Sequence, residues 1–97
     1  MEREQIRAGR GLLNWSQDEL AERAGVKRRV VAAYESGARV PHQRNLDSLS
    51  AALCEAGVEE VRRDDGAIGV VIRADALMMA RLSGSSPERA PSEERKS

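Results

Sequence analysis

Ninety-seven residues are enough for one domain and a tail, not for two domains. Hydrophobic side chains make up 40% of the chain, yet there is no Phe and Trp15 and Tyr34 are the only aromatics, so the core must be aliphatic and small. Sixteen basic and sixteen acidic residues cancel, which argues against a histone-like, purely electrostatic binder but leaves room for local patches.

A domain of this size is marginal alone, which favours oligomerisation. Glu2 to Leu13 reads as a first helix with Ile6, Leu12 and Leu13 as its apolar contacts. Gly9 and Gly11 weaken it by roughly 1 kcal/mol each relative to Ala, and close backbone packing is the one reason the sequence offers for them. Asn14 tolerates the left-handed position that ends a helix, and Trp15, placed before the Ser16 cap, can staple the next one.

Ser16 with Glu19 three residues later forms a capping box, so a second helix opens at Gln17. Leu20, Ala21 and Ala24 form its inward stripe, with Asp18, Glu19, Glu22 and Arg23 facing water. Gly25 can take the left-handed conformation that stops it, and Val26 can pack back on the last turn. A third helix of roughly ten residues follows, with Val30, Val31 and Tyr34 as apolar candidates and Gly37 as its stop.

That third helix opens on Lys27, Arg28 and Arg29. Cations at the positive end of a helix cost roughly 0.3–1 kcal/mol each, and Asp, Ser or Thr would stabilise that end better. Either the run is simply a solvated one, or a negative partner outside the chain compensates it, and DNA phosphate with guanine edges fits the second case. From Lys27 to Arg44 the cations are Lys27, Arg28, Arg29, Arg39 and Arg44, against Glu35 as the single acid. The segment is a basic patch in a neutral chain.

Ser36 to His42 is a loop that holds Arg39 and is stiffened by Pro41. His42, the only histidine, is a phosphate neighbour or a bystander and not a catalytic base, because no nucleophile is placed for it. From about Arg44 to Ala56 a fourth helix carries Leu46, Leu49 and Leu53 on one face, with Ala52 and Ala56 close by, as core. Cys54, the single cysteine, can form no internal disulfide, has no zinc-spaced partner, and reads as a small buried hydrophobe.

After Gly57 the period changes. Residues Val58 to Arg63, then Asp64-Asp65-Gly66-Ala67, then Ile68, Val70 and Ile72 alternating with Gly69, Val71 and Arg73, read as a β-hairpin. A lone hairpin is marginal, so Ile68, Val70 and Ile72 must cover the helical core, leaving Val71 on the other side. Ala74 to Leu82 is helix-prone and apolar; Leu77, Met78 and Leu82 either return to the same core, the reading preferred here, or bury against a partner subunit. Ser83 to Ser97 is Ser-, Pro- and charge-rich without periodicity and is expected to be disordered. With no signal peptide or long apolar run, the expected location is the cytoplasm, with no membrane partner.

Ile6, Arg10, Gln17, Leu20, Ala21, Ala24, Gly25, Val31, Glu35, Gly37, Pro41, Leu46 and Leu53 stand at the spacing of a helix-turn-helix, in which small Ala21 lets two helices cross closely. Over about residues 3 to 57 the chain resembles the lambda-repressor-like (XRE) family of bacterial and phage regulators. The resemblance implies a mostly α fold with a four-helix helix-turn-helix domain over residues 1–57; the β-hairpin and short helix read at 58–82 follow it and are the candidates for a dimerisation element. It also implies that Arg10 pairs with Glu35, tying the first helix to the end of the third, and that Arg10 can reach a phosphate.

In such a domain the third helix lies in the major groove and its first residues read base edges. The resemblance assigns base contacts to Lys27, Arg28, Arg29, Ala32 and Ala33, with Arg28 and Arg29 as the main readers through guanine O6 and N7. Phosphate contacts fall to Gln17 at the start of the second helix and to Arg10, Arg39 and Arg44. Relatives usually carry Ser or Thr at the place of Lys27 and a long polar side chain at that of Ala33, so the reading surface here is shorter. One helix covers about half a site, so a homodimer on an inverted repeat of double-stranded DNA is expected, and short relatives more often repress.

The rival class is a protein-interaction module, antitoxin-like or an anti-activator, in which residues 58–82 bind another protein. An enzyme is not expected, because one His, one Cys and scattered carboxylates supply no acid–base pair, nucleophile or metal set; no cofactor is expected either.

Overall fold

The computed structural model describes residues 1–83. Their elements run α1 (Arg3–Leu13), α2 (Gln17–Ala24), α3 (Arg28–Ser36), α4 (Gln43–Glu55), β1 (Val58–Arg62), β2 (Ile68–Ile72) and α5 (Ala74–Ser83). The described residues are mostly helical, with one two-stranded antiparallel hairpin between α4 and α5. The disorder expected from residue 83 falls, from residue 84 onward, outside the described residues, and Ser83 itself closes α5.

The local stops sit where the chain chemistry puts them. Asn14 takes the left-handed conformation at φ 61°, and Gly25 does so at φ 73°, turning the chain between α2 and α3. Val26 then donates its N–H to Ala21 O at 3.0 Å and packs against the core, which seals the last turn of α2.

Ile6 from α1, Leu20 from α2, Val31 from α3, Leu49 and Leu53 from α4 and Val58 from β1 are essentially inaccessible. Burying each such side chain contributes ~1.5–3 kcal/mol, so these six hold the helices together. Tyr34 adds the aromatic mass and donates its hydroxyl to Met1 O at 3.1 Å. Val70 and Ile72 pack on the cluster from the hairpin, while Ile68 and Val71 are exposed.

The hairpin is anchored by a residue whose type gave no warning of burial. Gln5 is buried in α1; its Oε1 accepts the Glu2 N–H at 2.8 Å, and its Nε2 donates to Gly69 O at 2.9 Å and Val61 O at 3.4 Å. Both ends of the amide are therefore satisfied, which removes the cost of burying it. At the far end of the hairpin, Arg63 N–H bonds Ala67 O at 2.8 Å and Gly66 N–H bonds Arg63 O at 3.0 Å, with Gly66 at φ 94°. This is a three-residue connection with glycine in the position that needs positive φ.

Five expectations change. Ile68, expected to cover the core with Val70 and Ile72, is exposed instead, because it lies at the turn end of β2 opposite Arg62, beyond the reach of the helical core. Cys54 is exposed, not buried, because α4 turns Leu49, Ala52 and Leu53 inward and leaves residue 54 on the opposite face. Ser16 Oγ accepts the Glu19 N–H at 3.0 Å, but Glu19 spends its carboxylate on Arg23 Nε at 2.7 Å, so the reciprocal half of the capping box gives way to an i,i+4 ion pair. In α5 the core takes Ala80 and half-buries Leu77, whereas Met78 and Leu82 stand 57% and 74% exposed. Of the two glycines in α1, only Gly9 is packed closely: a Cβ there would lie 3.2 Å from Leu53 Cδ1 and 3.3 Å from Val58 Cγ1, whereas one at Gly11 meets nothing.

Candidate functional site

α3 begins at Arg28, with Lys27 as its N-cap in extended conformation at φ −80°, ψ 146°. Lys27 has no acceptor to offer, and no side chain caps this end, so the free amides and the positive end of the helix dipole are joined by three exposed cations. Arg28 Nε lies 3.3 Å from Asp18 Oδ1, but both side chains are exposed, and such a pair contributes little. Lys27 and Arg29 make no ion pair among the described residues.

One turn further, Ala32 and Ala33 are half-buried on the same helix. Arg29 and Ala33 line a shallow groove with Arg39 and Pro41 of the following loop and with His42 and Asn45 at the start of α4. This groove unites three of the DNA-contact candidates of the sequence, Arg29, Ala33 and Arg39. Arg44 is exposed in the first turn of α4 and is not part of its wall. Asn45 was missed; its one signal is a polar residue on the first turn of α4, just off the stripe formed by Leu46 and Leu49.

Arg10 and Gln17 come together elsewhere, on Glu35. Arg10 Nε and Nη2 reach Glu35 Oε2 and Oε1, each at 2.7 Å, and Arg10 Nη1 donates to Trp15 O at 2.9 Å. Gln17 Nε2 donates to Glu35 Oε1 at 3.1 Å, and Arg7 Nη1 holds the Glu35 backbone carbonyl at 3.0 Å. Burial pushes the Glu35 carboxyl upward, but the Arg10 and Gln17 hydrogen bonds and the Arg10 and Arg7 charges outweigh it and hold its pKa below the usual value. α1, α2 and α3 are thereby locked at one buried carboxylate, which fixes the direction in which α3 points.

Among the described residues, no group of His, Cys, Asp and Glu is arranged to hold a metal ion, and no helix is long and apolar enough to cross a membrane. The arrangement presents a rigid helix with a cationic leading end, a short apolar second turn and a basic flank. Exposed amides and guanidinium groups of this kind are hydrogen-bond donors, the kind of groups that bind phosphate oxygens and base edges. The family model described as Helix-turn-helix matches residues 6–53, from Ile6 within α1 to Leu53 within α4. No curated protein matches the chain.

Proposed function

The chain belongs to the lambda-repressor-like helix-turn-helix family, and from that premise we propose that it is a sequence-specific, double-stranded DNA-binding transcriptional regulator that represses as a homodimer on an inverted repeat. The observation that carries this reading is the uncapped start of α3, where Lys27, Arg28 and Arg29 stay exposed with one weak internal carboxylate contact. A cluster of like charge at the wrong end of a dipole is retained for a polyanion.

In this reading α3 enters the major groove. Arg28 and Arg29 read guanines, Lys27 meets phosphate or a base edge, and Ala32 and Ala33 give apolar contact such as to a thymine methyl. Arg39 and Arg44 hold phosphate on the far side, and the start of α2 with Gln17 does so on the near side. Arg10 acts chiefly by fixing Glu35, and only the second N–H of each of its Nη1 and Nη2 is left for phosphate. Occlusion of polymerase is the simplest outcome of such binding, and the hairpin, with Ile68 and Val71 exposed, is its self-association element.

Footprinting of genomic fragments with the purified chain identifies the operator. Substituting Arg28 and Arg29 together by Ala then lowers operator affinity at least about thirtyfold, two specific contacts at the low end of their range. An unchanged affinity, with the helical content intact, would overturn the assignment and favour a role in which residues 58–82 capture another protein.

A further inference from the structure

Among the described residues the hairpin is a two-stranded sheet, and neither of its outer edges has a neighbouring strand there. Arg63 N–H to Ala67 O at 2.8 Å and Arg73 N–H to Gly57 O at 2.9 Å fix which opposite residues exchange hydrogen bonds. By the alternation of an antiparallel ladder, the bonded pairs are 57 with 73, 59 with 71, 61 with 69 and 63 with 67. The N–H and C=O groups of Ile68, Val70 and Ile72 therefore point away from β1, along the outer edge of β2. Among the described residues no hydrogen bond reaches them there. α1 packs chiefly against β2 from one face of the hairpin, and Gln5 reaches the carbonyls of Val61 and Gly69 between the strands rather than the outer edge.

The two edges differ in chemistry. β1 carries Glu59, Glu60 and Arg62, the kind of charge that keeps an edge from pairing. β2 is Ile68, Gly69, Val70, Val71 and Ile72, without a charge, with four β-branched residues, and with Ile68 and Val71 exposed at 37% and 47%. An edge of that composition is a template for another strand.

We propose that the outer edge of β2 pairs antiparallel with β2 of a second copy, about a twofold axis at Val70, to give a continuous four-stranded sheet. Symmetry and charge select this occupant. The axis sets Ile68 opposite Ile72 of the second copy and Gly69 opposite Val71, so that no charge is brought into the interface. The same operation on β1 would set Glu60 against Glu60, and like charges directly opposite are destabilising. The inference rests on the DNA-binding reading for the need of a second copy, and it names the interface.

Five residues of strand bury less than the ~800 Å² per partner of a stable complex. The dimer is therefore weak in free solution, populated at the high concentrations of an NMR sample, and is completed at low concentration on two adjacent half-sites, which hold the copies at high effective concentration.

The test uses the full chain without DNA first. Amide exchange followed by NMR should slow at Ile68, Val70 and Ile72 as concentration is raised, with sedimentation reporting dimer. Val71→Lys places a charge at the seam, and Ile68→Pro removes an outward N–H at the first strand residue while sparing the internal ladder. Either change should raise the dimer dissociation constant at least about tenfold, and Glu60→Lys should not.

A second arm uses duplexes carrying one or two half-sites. The parent chain should bind the double site cooperatively, and Val71→Lys should bind both half-sites independently. A dimer that survives both β2 variants but is lost on Met78→Glu with Met79→Glu would overturn the proposal, as would concentration-independent exchange at the three amides. Loss of duplex binding with β2-dependent dimerisation intact would sink the DNA reading and leave the strand pairing standing.

Discussion

Glu35 grips Arg10 through two parallel hydrogen bonds of 2.7 Å, joining α3 to α1 across twenty-five residues of chain. The carboxylate is 4% exposed and the guanidinium 20%, so this is a pair shielded from water on one side and open on the other. Such a pair stabilises less than its geometry suggests, but losing one member strands the other.

Arg10→Ala should therefore cost about 3 kcal/mol, read from urea unfolding, because it leaves a buried carboxylate with Gln17 as its main side-chain partner. Replacing both residues by apolar ones of similar volume should recover most of that loss. The carboxyl is held below its usual pKa, so its contribution is complete above the unfolded value of about 4.3 and is lost as pH falls through the folded value beneath it. Glu35→Gln should flatten that acid limb of the stability profile; an identical limb in the variant would refute this account.

Lys27 offers a sharper separation of folding from function. As N-cap it provides no acceptor to the amides of α3. Lys27→Asp supplies one, together with a favourable dipole interaction, and should raise stability by about 1 kcal/mol in thermal or urea unfolding. The same change should weaken duplex binding. Lys27→Ala should make the dependence of log affinity on log salt shallower by about 1, the signature of one lost phosphate contact.

Gly9 and Gly11 look alike in the sequence and should respond in opposite ways. Gly11→Ala meets open space in a helix and should stabilise the chain by roughly 0.5–1 kcal/mol. Gly9→Ala must push on Leu53 and Val58 and should give no gain or a net loss. Melting temperatures of the two variants decide the matter, and a stabilising Gly9→Ala would mean that α1 can shift freely over α4 and β1.

Val58 tests whether the hairpin is structural as well as adhesive. It is completely buried against the helices, so Val58→Ala should cost on the order of 2 kcal/mol, two methyl groups and the space they leave. Val71→Ala, on the exposed side, should stay within about 0.5 kcal/mol of the parent chain in the same unfolding experiment.

The elements themselves were settled by the chain locally. Ser16, Gly25, Gly37 and Asp65-Gly66 start or stop segments through bonds and dihedral angles spanning only a few residues, and the Leu46, Leu49, Leu53 stripe needs nothing but helical period to find the core. The cationic start of α3 is equally legible, since charge at a helix end is a property of sequence order. Tertiary structure alone decided the partners. It gave the Gln5 amide to the carbonyls of Val61 and Gly69, Gln17 to Glu35, Arg29 and Arg39 to one groove, and water to Cys54, Met78 and Leu82. Those outcomes depend on the angles at which α1, α4 and the hairpin cross, and a crossing angle is fixed by the packing of all the elements at once, which periodicity within any single segment does not contain.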